Sequence, residues 1–555
     1  MLVRLLDNTP PEIVQKIVLY ATAGHLGPPK ALHSMLLTCR TSYALLSKDS
    51  GEFYLNLFRQ QFDTIAPGYR LGRLALREQA KLELNRRFKV LKLFRSKDIS
   101  SPFLEEAFWI AYLMIEDSGT SQSNIKQLLH SGVLVFLDRF LRERLYEGSE
   151  GNNGWPLMNE LNSLALALSW LLSSRHSLIN EQPHDRDTML KLLSPYVFAA
   201  FRYPIFSAHE VLFDISNLDG PFEPTNSTIH GRYPALAPQP RDVAYFGNLA
   251  RKARVPSATI FACLLYFKRR EARTPEIPIT LKWQTRAQAE AAGHTESGPT
   301  REDFQHFVDH CETRFGESQA VDFGVRSRSL DSVLGQPAPY KLGTLTGCWQ
   351  GSWIMVETEG YKRSMTELTP PKEFATRGRI PLYFTLQEHF AYDADTIVPR
   401  DIEQNGLMNA WLPPNCQVET SQFGVKLVDE HSTCLSSYET FSFDQKSSHA
   451  GRRITDVLIT GKTDDRHAAA WGQYNVLGRV RLADGLMVLI RTPFSGGVPQ
   501  ILRGYVTSSQ NLVGRLTCTE QTTGIIPPSY EAPFSLCKNN TTTRSTHTFK
   551  MGPSF

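Results

Sequence analysis

The sequence predicts an α+β protein of several domains, with helices in the first half and an antiparallel β-domain, a barrel or a sandwich, in the second. Three observations carry this. Up to about residue 213, apolar residues recur at helical spacing. From Tyr340 onward the period shifts towards two, and short runs of β-branched and aromatic residues alternate with polar turns. Between them, Gly220, Pro221, Pro224, Pro234, Pro238 and Pro240 mark an irregular connection that no helix can cross.

Composition bounds the function. The 555 residues, 41% hydrophobic and 21% charged, suffice for two or more cores. A net charge of +4 is small for this length and asks for neither a nucleic-acid surface nor a membrane surface. The eight cysteines stand singly with no C-x-x-C pair, the pattern of reduced thiols. The start, Met1 to Asp7, has one basic residue and too few apolar ones for a signal peptide. The longest helical apolar run, Leu164 to Leu172, falls far short of the roughly 20 residues that span a bilayer. The expected compartment is the cytoplasm, the nucleus or both.

Residues 1–63 read as a compact helical module. Thr9-Pro10-Pro11-Glu12 starts a helix, with Thr9 able to cap it, prolines where no N–H is needed and Glu12 at the positive end of the dipole. Ile13, Ile17 and Tyr20 fall at i, i+4 and i+7 and make one apolar stripe. A break at Gly27-Pro28-Pro29 precedes a second helix from Ala31, with Leu32, Leu36 and Cys39 on one face, running into Arg40 to Leu46. Phe53 to Phe62 closes the module.

Pro10-Pro11-Glu12-Ile13-Val14-x-x-Ile17, followed by Leu36-Leu37-Thr38-Cys39-Arg40-Thr41-Ser42-Tyr43, resembles an F-box, the three-helix module that docks onto the Skp adaptor of cullin-type ubiquitin ligases. The pattern departs from the family at Thr9, where leucine is preferred, and at Tyr43, near a position usually held by tryptophan. The resemblance implies that Pro10, Pro11, Ile13, Val14, Ile17, Leu36, Cys39, Arg40 and Tyr43 contact the adaptor. So short a unit cannot bury both helix faces by itself, which agrees.

Residues 64–216 read as a helical frame, with helices at 103–115, 125–145 and 157–172, the last apolar nearly all round and hence central. Lys81 to Arg95 interleaves basic and apolar positions and reads as a solvated helix face, because no aromatic stacking platform accompanies the charge. Residues 217–339 form an irregular and partly helical connection, with helices at 257–273 and from Thr300, a capping residue, to Phe315. The second contains His306-x-x-x-His310-Cys311, the one arrangement with metal-like spacing. It lacks a glutamate for hydrolytic zinc chemistry, and the thiol points about a quarter turn away, so surface histidines and a buried cysteine are expected, with no metal and no cofactor.

Residues 340–518 carry the strands. In Leu345-x-Gly347-x-Trp349-x-Gly351-x-Trp353, glycines inside an alternating run mark bends or closures of the sheet. Together with Gly461-x-Thr463-Asp464-Asp465-Arg466-His467-x-x-x-Trp471, Gly478-Arg479-Val480-Arg481-x-x-Asp484-Gly485-Leu486 and Leu502-Arg503-Gly504-Tyr505-Val506, this segment resembles the C-terminal half of a fungal F-box family. It is also similar to the substrate-binding β-barrel of animal F-box-only proteins. The two resemblances imply an F-box-like three-helix module, a helical middle region and a C-terminal antiparallel β-barrel. They imply a non-catalytic receptor of a Skp–cullin–F-box ubiquitin ligase, whose partners are the adaptor, through it a cullin, and a protein substrate.

Asp464, Arg466, His467 and Trp471 lie in a turn that could sit over a barrel mouth, and Arg479 and Arg481, two apart, share one strand face. Charged donors beside an aromatic suit a peptide or a carboxylate. The bland account is that Asp464 starts a helix, His467 satisfies a carbonyl and Trp349, Trp353 and Trp471 fill the barrel. Two other functions fit the same residues: a ligand-binding or enzymatic barrel, and a scaffold in which the N-terminal module folds back on residues 70–215. The Thr-, Ser-, Pro- and Asn-rich segment 519–555 is expected to be a partly disordered tail.

Overall fold

A computed structural model describes residues 9–47, 51–203, 205, 241–273, 281–293, 298–315, 340–392, 411–413, 415–421, 424–443, 454–482, 485–507, 510–518 and 531–539. The prolines of the connection up to Pro240, and the end of the tail, lie outside them.

Helices α1 (Pro11–Thr22), α2 (Lys30–Thr38), α3 (Arg40–Ser47) and α4 (Gly51–Gln61) form the N-terminal unit. α1 carries two apolar stripes. Val14 and Val18 turn inward, while Ile13, Ile17 and Tyr20 turn outward. Pro10 occupies the cap position, and it makes no side-chain capping bond. The expected second helix is two, because Cys39 between α2 and α3 is extended (φ −159°, ψ 167°). The Ser42 N–H donates to its sulfur at 3.3 Å. α4 buries Phe53, Tyr54, Leu57 and Phe58 and anchors the unit to the helices beyond it.

The frame consists of α5 (Ile65–Ser96), α6 (Leu104–Glu116), α7 (Ser123–His130), α8 (Val133–Glu143), α9 (Glu160–Leu172), α10 (Arg175–Ile179) and α11 (Pro183–Phe198). Leu164 to Leu168 in α9 are fully buried, as a helix apolar all round requires. α5 corrects one expectation: Arg87, on its basic face, is buried, not solvated. Its guanidinium lies over Phe58 (4.8 Å) and Phe62 (5.0 Å) and donates to Glu83 (2.7 Å) and Asn124 (3.0 Å). A hairpin absent from the sequence reading, β1 (Arg241–Ala244) and β2 (Ala250–Ala253), presents Tyr245 and Phe246 to this core. α12 (Ala258–Glu271) is capped by Ser257, a short α13 (Arg286–Ala291) follows, and α14 (Arg301–His310) opens with the Thr300–Asp303 capping box.

The C-terminal strands are β3 (Gly347–Val356), β4 (Thr376–Ala391), β5 (Gln417–Ser421), β6 (Gly424–Val428), β7 (Cys434–Thr440), β8 (Asp456–Lys462), β9 (Tyr474–Val480), β10 (Met487–Pro493), β11 (Gln500–Thr507), β12 (Asn511–Cys518) and β13 (Glu531–Asn539). Helices α15 (Thr358–Thr366) and α16 (Asp465–Trp471) join β3 to β4 and β8 to β9. Eight strands close an antiparallel barrel in the order β3-β13-β12-β11-β10-β9-β8-β4, with β4 returning to β3. The flap β7-β6-β5 extends from the far end of the long β4.

Alternation puts Trp349, Trp353, Phe384, Leu386, Leu502, Phe534 and Leu536 in the barrel interior. Gly351 and Gly514 permit the close strand approach: a Cβ there would meet a neighbouring carbonyl at 2.1 Å and 1.9 Å. β13 corrects the tail expectation. Ala532, Phe534 and Leu536 are wholly buried, and the strand joins β12 to β3.

The outer wall of β10, β11 and β12 shares one core with the frame through Val488, Ile501 and Val513. Arg515, also on this wall, donates to the carbonyls of Tyr196 (2.9 Å), Val197 and Tyr203 (3.3 Å), where α11 ends. It thereby satisfies orphan acceptors and opposes the negative end of the helix dipole. Burial raises the neighbouring Glu531 carboxyl, with Arg515 and Arg503 pulling the other way.

His389 on β4 lies between the hydroxyls of Thr440 (2.9 Å) and Thr460 (2.8 Å), and burial pushes its imidazole down to about 4. The unfolded chain therefore takes up this proton first, and stability falls as pH drops from 6.5 towards about 4. The contribution at stake is of order 2–3 kcal/mol. Urea titrations of wild type and His389→Asn across this range should diverge by that much; parallel curves would contradict it.

Candidate functional site

Two regions gather the residues singled out in the sequence. The first is the outward side of the N-terminal unit. Pro10 and Pro11 are exposed, and so are Ile13 (45%), Ile17 (50%) and Tyr20 (82%) along α1. Leu37 (72%) and Tyr43 (59%) add apolar surface on α2 and α3, and Arg40 is exposed beside them in sequence. Leu36 and Cys39 are half-buried. Val14 is fully buried, so it supports the face from beneath and is not part of it. Tyr20 and Leu37 were not among the expected contacts, although the i, i+4, i+7 stripe already pointed to Tyr20.

The face is held firmly. Val14, Val18, Leu32 and Leu46 enter the core, and the Tyr54 hydroxyl donates to Leu46 O at 2.8 Å. The unit does rest on the frame, with the Gly27 N–H donating to Gln127 Oε1 at 2.8 Å and Gln127 Nε2 donating to Gln61 Oε1 at 2.9 Å. That contact uses α4 and the turn after α1 and leaves the outward stripe open.

The second region is the turn around α16. Asp464 caps the helix, accepting from the His467 N–H at 3.1 Å and bonding His467 Nδ1 at 2.6 Å. Burial works to raise the Asp464 carboxyl, and its bonds to His467 outweigh this and leave it below the usual carboxylate range. The His467 ring stacks on Tyr383 at 3.7 Å, and Trp471 meets Phe304 edge-on at 4.9 Å. Tyr383 alternates with the inward Leu382 and Phe384, so it projects from the outer wall of the barrel. α16 therefore packs beside the barrel, not over its mouth as expected. His467 and Trp471 hold this packing, and Arg466 alone of the set is exposed.

Arg479 and Arg481 are both buried; Arg479 lies in β9, and Arg481 follows the end of that strand. Arg479 Nη2 bonds Asp456 Oδ2 at 2.8 Å and Nη1 donates to Trp411 O at 2.6 Å, while the Tyr438 hydroxyl donates to the same carboxylate at 2.7 Å. This network ties β7, β8 and β9 together. The six residues thus do not form one binding surface. Arg479→Met should cost about 3–5 kcal/mol in urea unfolding by stranding a buried carboxylate. Arg479→Met/Asp456→Leu should recover part of that loss; equal losses would contradict the pairing.

His306 stacks on His310 at 4.2 Å and faces His467 at 5.4 Å. Burial, then Arg466 and the neighbouring histidines, push the His306 imidazole down to about 4. Cys311 is buried and its thiol donates to the Tyr383 hydroxyl at 3.3 Å. Among the described residues no group of three or more His, Cys, Asp or Glu is placed to hold a metal ion. No described helix is long and apolar enough to cross a membrane. Comparison with protein-family models, with curated proteins and with solved structures finds no match to the chain.

Proposed function

We propose that the chain is a substrate-recognition subunit of a Skp–cullin–F-box ubiquitin ligase, with an N-terminal F-box that docks a Skp-type adaptor. One observation supports this above the others. The module whose sequence resembles an F-box keeps Ile13, Ile17 and Tyr20 in solvent although α1 has a complete inward stripe of its own. Apolar side chains presented together on a rigid helix are what a partner groove engages.

In this reading the barrel and frame carry the protein substrate and perform no chemistry themselves. Trp349, Trp353, Phe384 and Phe534 fill the barrel interior, which weighs against a ligand carried inside it and leaves recognition to the outer surface and the rims. The test is co-expression with a Skp-type adaptor. A stoichiometric complex should elute from size exclusion and weaken with Pro11→Ala/Ile13→Ala; recovery of the folded chain without adaptor would overturn the reading.

A further inference from the structure

A cavity of about 500 Å³ opens where the frame meets the segment that follows α15. Leu157, Met158, Phe201, Met365 and Leu368 supply its apolar lining. Arg202 and Glu367 line it too, so it offers both signs of charge.

The walls are set before any ligand arrives. Trp155 is fully buried and donates from Nε1 to Leu368 O at 2.8 Å, joining the two sides. The Tyr196 hydroxyl donates to Leu157 O at 2.6 Å and the Tyr203 hydroxyl to Pro156 O at 2.6 Å. Arg202 lies over the Trp155 ring at 5.2 Å, donates to the neutral Asn152 amide oxygen at 2.5 Å and hydrogen-bonds the Tyr203 hydroxyl, so neither partner is a carboxylate. Its planar fork keeps further donors for an incoming anion. Leu368 is 74% exposed at the rim, and Met158 and Met365 are flexible thioethers that adapt to side chains of different shape.

We propose that this cavity receives a peptide segment of a protein partner in which a large apolar side chain stands beside an acidic residue. The apolar side chain enters among Leu157, Met158, Phe201 and Met365, and the carboxylate meets Arg202. Glu367 favours a peptide over a simple alkyl acid, because it repels a bare anion and suits the N–H groups that a peptide brings. The size is that of a pocket for one anchor residue and its neighbour, within the range of ordinary ligand clefts. The inference rests on the receptor reading only for the view that the partner is a substrate.

The probe is a set of fluorescein-labelled tetrapeptides Gly-Asp-X-Gly, with X each apolar residue in turn, and the same set with Asn for Asp, titrated by polarisation against the full chain. Peptides with X = Leu, Met or Phe should bind, and their Asn counterparts at least about tenfold more weakly. Arg202→Gln should erase the Asp-over-Asn preference, and Met365→Trp, which fills the cavity, should remove binding of both sets. Thermal melting checks that each variant is folded. No binding by folded wild type, equal binding of the Asp and Asn sets, or binding indifferent to Met365→Trp would overturn the proposal. Decanoate binding more tightly than every peptide would overturn the peptide assignment. Adaptor capture by the same preparation separates the two ideas: capture without peptide binding removes this site alone, and peptide binding without capture removes the ligase reading alone.

Discussion

Phe534→Ala is expected to destabilise the chain by about 3–5 kcal/mol, and truncation before Glu531 to prevent the barrel from folding. Phe534 is wholly buried in the barrel, and its strand pairs with β12 from Thr517 to Asn511 and with β3 from Trp353 to Cys348. Its loss would open two strand edges at once and uncover the outer wall that the frame covers. Ser535 meets Thr313 at 3.1 Å, and the Thr313 hydroxyl donates to Glu271 of α12 at 2.7 Å, so the damage would reach that helix. Urea unfolding followed by tryptophan fluorescence measures this; a midpoint within error of wild type would show that β13 contributes little.

Ile13→Asp/Ile17→Asp is expected to weaken adaptor binding at least about 100-fold, close to 3 kcal/mol, while the melting temperature stays near that of wild type. Both side chains are about half-exposed, so aspartate there costs the isolated fold little. At an apolar interface the same carboxylates lose their water without gaining a partner. Val14→Ala should do the reverse, lowering the melting temperature while leaving the outward side chains in place, because Val14 is fully buried in the core. Calorimetric titration with a Skp-type adaptor, with melting curves for each variant, separates the two effects. Undiminished affinity in the double variant would place the adaptor elsewhere.

Much of the barrel was legible because its strands alternate cleanly, as in Trp349-x-Gly351-x-Trp353, and because glycines fall where strands crowd. β13 was missed because Ala532, Phe534 and Leu536 sit between stretches rich in Thr, Pro and Asn, and composition averaged over the tail hid three alternating positions. The α1 stripes show a different limit. Ile13/Ile17/Tyr20 and Val14/Val18 are both apolar, and helical spacing groups them without saying which set turns inward. Arg479 was read as open to a substrate, but a strand pattern does not reveal that its side of β9 is covered by Trp411 and by Tyr438 of β7. Arg87 is similar: its burial depends on Phe58, Phe62 and Asn124, which no local pattern connects to it.

The central claim is that the outward side of the N-terminal unit docks a Skp-type adaptor. Hydrogen exchange on the full chain, with and without purified adaptor, addresses it most directly. Protection is predicted in peptides covering Pro10 to Tyr20 and Leu36 to Tyr43, with the barrel strands unchanged. Absence of a complex, or protection confined to other parts of the chain, would contradict it.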